Sequence, residues 1–101
     1  MNSPARLRIL GRNFKITALP TDSPNLGEAL VDEGKLAIRD GLDKFTLQDT
    51  VLHETMHAIR HQQGHEYGDA VEEDYVRSLA TGLLGVLHDN PSFAKWLISK
   101  P

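Results

Sequence analysis

Hydrophobic periodicity changes at Gly41, and this change constrains the fold more than any other feature of the chain. Before Gly41, apolar residues come in short runs with loose alternation; after it, they recur at intervals of three and four. "RLRILGRNFKITAL" (6–19) reads as a strand, with Phe14, Ile16 and Ala18 on one side. "PTDSPN" (20–25) gathers turn formers and makes a loop. In "GEALVDEGKLAIRDG" (27–41), Ala29/Val31 and Leu36/Ile38 flank Asp32-Glu33-Gly34, the pattern of a hairpin.

Beyond Gly41 the spacing predicts three helices. Thr46 can cap the first, with Asp49 three residues on, and the helix runs from about Leu47 to Gln63 with Gly64 as its C′ residue. A second runs from about Asp69 to His88, and Val76, Leu79, Leu83 and Leu87 form its apolar stripe. Asn90 and Pro91 open a short third helix that buries Phe93, Trp96 and Leu97. Strands followed by helices argue for an α+β fold. At 101 residues the chain fits a single domain, residues 1–101, with one modest core.

Composition narrows the functional classes. Cysteine is absent, which excludes a disulfide framework and a thiolate zinc site. The net charge of −3 comes without a basic run, so nothing points to nucleic acid. Apolar stretches are short and interrupted by charge, so no membrane span is expected. The first residues lack the apolar core of a secretory signal. A cytoplasmic location is the expectation.

The densest chemistry lies in "VLHETMHAIRHQQGHEYGDAVEED" (51–74), within which stands "HETMH". At about 100° per residue, Leu47, Val51 and Ala58 fall on one arc and Leu52, Met56 and Ile59 on the next. His53, Glu54 and His57 take the other half of the helix. His53 and His57 are one turn apart, so their imidazoles can converge on one metal ion with bonds of about 2.0–2.1 Å. Glu54 would flank the open coordination position, where it can take a proton from water. His61 is too far along the axis, roughly 12 Å from His53, to share the same ion.

Such a site needs a further protein ligand, and Glu72 and Glu73 both project into or beside the apolar stripe of the second helix. A carboxylate there is expensive unless paired or bound to a metal. The plainer alternative is that both sit in an exposed first turn and merely favour the helix dipole. The wheel alone places Glu72 nearer the centre of the stripe.

"HETMH" followed by "EDYVRSLATGLL" resembles the gluzincin metallopeptidases, most of all the small IrrE/ImmA-like peptidases and phage zincins, over residues 46–88. The resemblance implies a minimal zincin-like fold: a small N-terminal antiparallel sheet, an active-site helix, a ligand-bearing helix and a short C-terminal helix. It implies a glutamate ligand followed by a bulky apolar residue six positions on and a small one seven positions on. Counted from Glu73 these are Leu79 and Ala80, so the resemblance selects Glu73. The third histidine of a metzincin would stand where this chain has Gln63, and no cysteine motif of a peptide deformylase is present. Where many gluzincins have Asp or Asn four residues after the glutamate, this chain has Arg77, which cannot accept a hydrogen bond from a ligand histidine. Asp49, Asp69 or a backbone carbonyl must take that role.

The expected function is therefore zinc-dependent hydrolysis of a peptide or protein substrate. His53, His57 and Glu73 would hold Zn2+, and Glu54 would act as general base on an activated water. His65 and Tyr67 are candidate donors to the oxyanion, Tyr75 reads as core, and the strand over Lys35–Arg39 is a candidate partner for an extended substrate. The alternative is a catalytically silent zinc-binding regulatory or interaction module, of the kind found in prophage or toxin-type loci.

Overall fold

The computed structural model describes residues 3–64 and 69–101. Strands β1 (Arg6–Ile9), β2 (Arg12–Leu19), β3 (Gly27–Leu30) and β4 (Lys35–Arg39) precede helices α1 (Lys44–Gln62), α2 (Ala70–Asp89) and α3 (Pro91–Leu97). The architecture is α+β, with the sheet first and the helices after it, as the change of period at Gly41 predicts.

The stretch 6–19 is two strands rather than one. Leu10 (φ 49°) and Gly11 (φ 81°) reverse the chain, and β1 pairs antiparallel with β2 from Arg6↔Lys15 to Ile9↔Arg12. Two consecutive positive φ values belong to the tight hairpin turn that matches strand twist. Leu10 has no side-chain preference for that conformation, which hides the turn from the sequence.

The expected hairpin over 27–41 forms, with β3 antiparallel to β4 in the register Ala29↔Leu36. A single 3-10 turn, Val31–Glu33, carries the chain round, and Gly34 (φ 67°) closes it. The sheet is mixed rather than antiparallel throughout, because β4 inserts between β2 and β3 and runs parallel to β2. Burial explains the insertion: Leu36, Ala37 and Ile38 are all at most 3 % exposed, which only a central strand permits.

Helix α1 starts three residues before the expected Leu47. Asp43, not Thr46, is the N-cap: its carboxylate accepts from the Thr46 amide at 3.1 Å and from the Thr46 hydroxyl. Aspartate accepts two bonds here, and Thr46 serves as the donor. These bonds, the hydroxyl first, hold the Asp43 carboxyl below its ordinary range. At the other end Gly64 takes φ 89°, the left-handed C′ conformation. Asp69 caps α2, accepting from the Glu72 amide at 2.7 Å.

The core gathers Ile9, Phe14, Val31, Leu36 and Ala58 between sheet and α1. Helix α2 packs on α1 through Val76, Ala80 and Leu84. Its expected stripe shares only Val76 with this face: Leu79 and Leu83 are exposed and Leu87 is half-buried. Tyr75, read as core, is exposed as well. Ala80 wins the inward position because a methyl group lets the two helices approach closely. The α3 residues Phe93, Trp96 and Leu97, expected to be buried, all stand exposed, with Phe93 and Trp96 stacked on each other. Among the described residues, no helix is long and apolar enough to cross a membrane.

Candidate metal centre

The half of α1 that carries His53, Glu54 and His57 is turned inward, between the start of β3 and α2. Glu54 and His57 are buried, while Leu52 and Met56 on the apolar half are only partly covered. An unpaired polar half would be costly here. It is instead the wall of a cavity of about 520 Å³, which also takes in Asn25, Gly27, Asp49, Glu73 and Arg77.

Three side chains meet in this cavity. The Nε2 atoms of His53 and His57 are 3.2 Å apart. Glu73 reaches across from α2, with Oε1 2.8 Å from His53 Nε2 and Oε2 2.9 Å from His57 Nε2. Donors around a tetrahedral zinc with bonds near 2.1 Å lie roughly 3.4 Å apart. The triangle is therefore slightly tighter than a zinc site, as hydrogen bonds between the same atoms would make it. Donor types and facing atoms fit the metal. Seating an ion would require all three donors to open by a few tenths of an ångström, the carboxylate most.

Glu72, one residue away, points elsewhere. Its buried carboxylate receives Arg60 Nε at 2.6 Å and lies 3.8 Å from His57 Nδ1. The wheel correctly placed Glu72 near the centre of the buried face, and the structure gives that position a cation from α1. The partners expected for the histidines are engaged in other ways. Asp69 caps α2, and Asp49 accepts from the Thr81 hydroxyl at 2.7 Å. The carboxylate beside His57 Nδ1 is Glu72, which the sequence reading did not propose for this role. Arg77 lies 3.7 Å from Glu73 Oε1 and brings positive charge to the rim.

Glu54 offers a ligand or acceptor atom within 4.8 Å of those of His53 and His57. Burial, followed by the charges of Glu73 and Glu28, pushes its carboxyl up to about 7. Burial also lowers the His53 imidazole below its ordinary value, against the opposing pull of Glu73. Both shifts favour the neutral forms: a histidine free to offer a lone pair, and a carboxyl that can hold or release a proton near neutrality.

Gly27 contributes to the site without a side chain. A Cβ there would lie 2.9 Å from Thr50 Cγ2 and 3.0 Å from Glu54 Cγ. Glycine allows β3 to pass this close to the helix and cover Glu54. Nothing in the local sequence marks Gly27 for this, since the approach exists only once β3 has docked on α1.

His61 stands apart from the triangle, with Nε2 3.7 Å from Asp32 Oδ1 on the 3-10 turn. His65 and Tyr67, the expected oxyanion donors, lie outside the described residues. Strand β4 is interior to the sheet and cannot take a further strand, so its expected pairing with a substrate does not hold. The edge strand beside the cavity is β3. Comparison of the chain with known protein families, curated proteins and solved structures found no match.

Proposed function

We propose that this chain is a zinc-dependent metallopeptidase, with His53, His57 and Glu73 as metal ligands and Glu54 as general base. The observation that carries the reading is the convergence of two imidazole Nε2 atoms and one carboxylate within 3.2 Å of one another. A buried carboxyl titrating near neutrality stands beside them. Zinc would supply Lewis-acid polarisation of the scissile carbonyl and an activated water. Glu54 takes the proton of the attacking water on its carboxylate and returns it to the leaving amine, a transfer suited to a group poised near pH 7. Glu72, itself paired with Arg60, lies behind His57 at 3.8 Å from Nδ1, where a carboxylate favours the orientation of the ring. An extended peptide would enter along residues 25–27, which lead into the start of β3 and line the cavity.

A general base beside the ligands favours turnover over a silent zinc module, since a closed structural site needs none. The absence of cysteine supports a cytoplasmic setting. Elemental analysis of protein purified without chelator, paired with cleavage of a mixed peptide library, tests the proposal. About one zinc per chain and chelator-sensitive cleavage are expected. Protein that folds stably and takes up no zinc on reconstitution would overturn it.

A further inference from the structure

The outward side of α2 is unlike a solvated helix face. Val71, Tyr75 and Leu79 are 67 %, 63 % and 59 % exposed, and Leu83 and Val86 extend the same stripe. On a helix turning about 100° per residue, they share an arc of roughly 160° with Ser78, Gly82 and Gly85. Between Tyr75 and Val86 this arc holds no charged residue. The one charge of that stretch, Arg77, lies on another side of the helix; of the charged residues nearer the helix ends that share the arc, Glu72 is buried and Asp89 stands at the last position of α2. Each glycine inside a helix costs about 1 kcal/mol relative to alanine, and a solvated face gives no reason for two. A Cβ added at Gly82 or Gly85 would meet nothing within 4 Å, so neither serves packing within the chain.

We propose that this face joins two copies of the chain in a symmetric dimer, with α2 crossing its counterpart antiparallel at Gly82. The pattern of large and small residues is self-complementary in that register. Pairing Gly82 with Gly82 sets Leu79 opposite the second copy's Gly85, and Val86 opposite its Ser78. Leu79 and Val86 thus each face a notch, Tyr75 stands opposite the second copy's Asp89, and the two-fold axis repeats the match on the other side. A parallel pairing would put Leu79 on Leu79 and Gly85 on Gly85, a collision beside a void, with the helix dipoles aligned unfavourably.

The surface has the size such a contact needs. The five apolar side chains expose roughly 500 Å², close to the apolar share of the about 800 Å² that each partner gives a stable interface. The groove between α1 and α2, with Met56 and Ile59 in its wall, continues the face and widens the contact. Glu73 lies on the opposite side of α2, so the dimer leaves both metal cavities open.

The full chain, as purified, provides the test by analytical ultracentrifugation over a concentration series. A species of twice the chain mass is expected at micromolar concentration. Leu79→Lys and Gly82→Glu, which the open space accommodates, should each weaken dimerisation at least about 100-fold with an unchanged circular dichroism spectrum. The natural chain has no cysteine, so Gly82→Cys offers a direct readout across the axis. It should form a disulfide-linked dimer on air oxidation, far faster than Lys100→Cys at the chain end. A wild-type chain that stays monomeric to about 100 µM overturns the proposal. So does a dimer that both substitutions leave intact, or a Gly82→Cys chain that crosslinks no faster than the control.

Discussion

Glu72 and Glu73 are neighbours in sequence but belong to different charge systems: Glu72 takes Arg60 at 2.6 Å, and Glu73 takes His53 at 2.8 Å. The helix turns about 100° between them, which sends one carboxylate behind His57 and the other in front of it. Their substitutions should therefore fail in different ways. On the proposed ligand set, Glu73→Ala should lower zinc affinity severely, with little effect on the metal-free fold. Glu72→Ala, seen only as a first-turn residue, would cost a few tenths of a kcal/mol. Its burial raises that to about 2–3 kcal/mol of stability, below the full penalty of a buried pair because Arg60 is half in solvent. Its zinc affinity should fall about 10–100-fold, as for a group that orients a ligand. Zinc titration with urea unfolding separates the two. The reverse ranking would move the ligand to Glu72.

Glu54→Gln keeps shape and volume but cannot accept a proton. Zinc content should be unchanged while peptide hydrolysis falls by about 10²–10⁴. Cleavage at the wild-type rate would remove Glu54 from the reaction. A zinc-loaded wild type that cleaves no peptide in the library would leave the silent binding module as the better reading.

The metal-free protein should have a pH signature. Glu54 has a folded pKa of about 7 against an ordinary 4.5, so the folded state holds a proton that the unfolded chain has already released. The associated stability is fully present below about 4.5 and is lost as pH rises through about 7, on the order of 3 kcal/mol in all. Urea unfolding in chelator between pH 5 and 8 should show this decline, and Glu54→Gln should flatten it. Equal pH dependence in the two proteins would mean that Glu54 titrates normally.

Gly27→Ala tests the close passage of β3 over the site. The new methyl would press on Thr50 and on Glu54 Cγ at 3.0 Å or less. Displacing a buried helix or strand to admit it costs about 1–3 kcal/mol. Hydrolysis should drop more than zinc affinity, since Glu54 is moved and the three ligands are not. A variant as active and stable as wild type would show that the strand yields freely.

The sequence carried the periodic information and missed what depends on distant partners. The order of strands and helices, the hairpin over 27–41 and the shared helix face of His53, Glu54 and His57 all follow from local spacing. The turn at Leu10-Gly11 escaped because leucine gives no signal for positive φ. The central place of β4 escaped because strand order is a long-range choice. On α2, Leu79 and Leu83 are the more hydrophobic residues, yet helix–helix distance selects Ala80 for the interior. Gly27 was invisible for the same reason as β4: its neighbour Glu54 arrives from elsewhere in the chain.

The central position of β4 also sets an order of assembly. The β1–β2 and β3–β4 hairpins close over short loops and can form early and independently, on a microsecond scale. The parallel β2–β4 seam joins residues about twenty apart, and closing over that longer separation is slower than closing either hairpin. The start of β3 covers Glu54 through a contact between distant parts of the chain, Gly27 against Thr50 and Glu54. His53 and His57 need no such contact, because they lie a single helical turn apart. Local helical structure alone therefore brings His53 and His57 together, whereas the cover over Glu54, and with it the burial that raises its carboxyl, depends on the sheet.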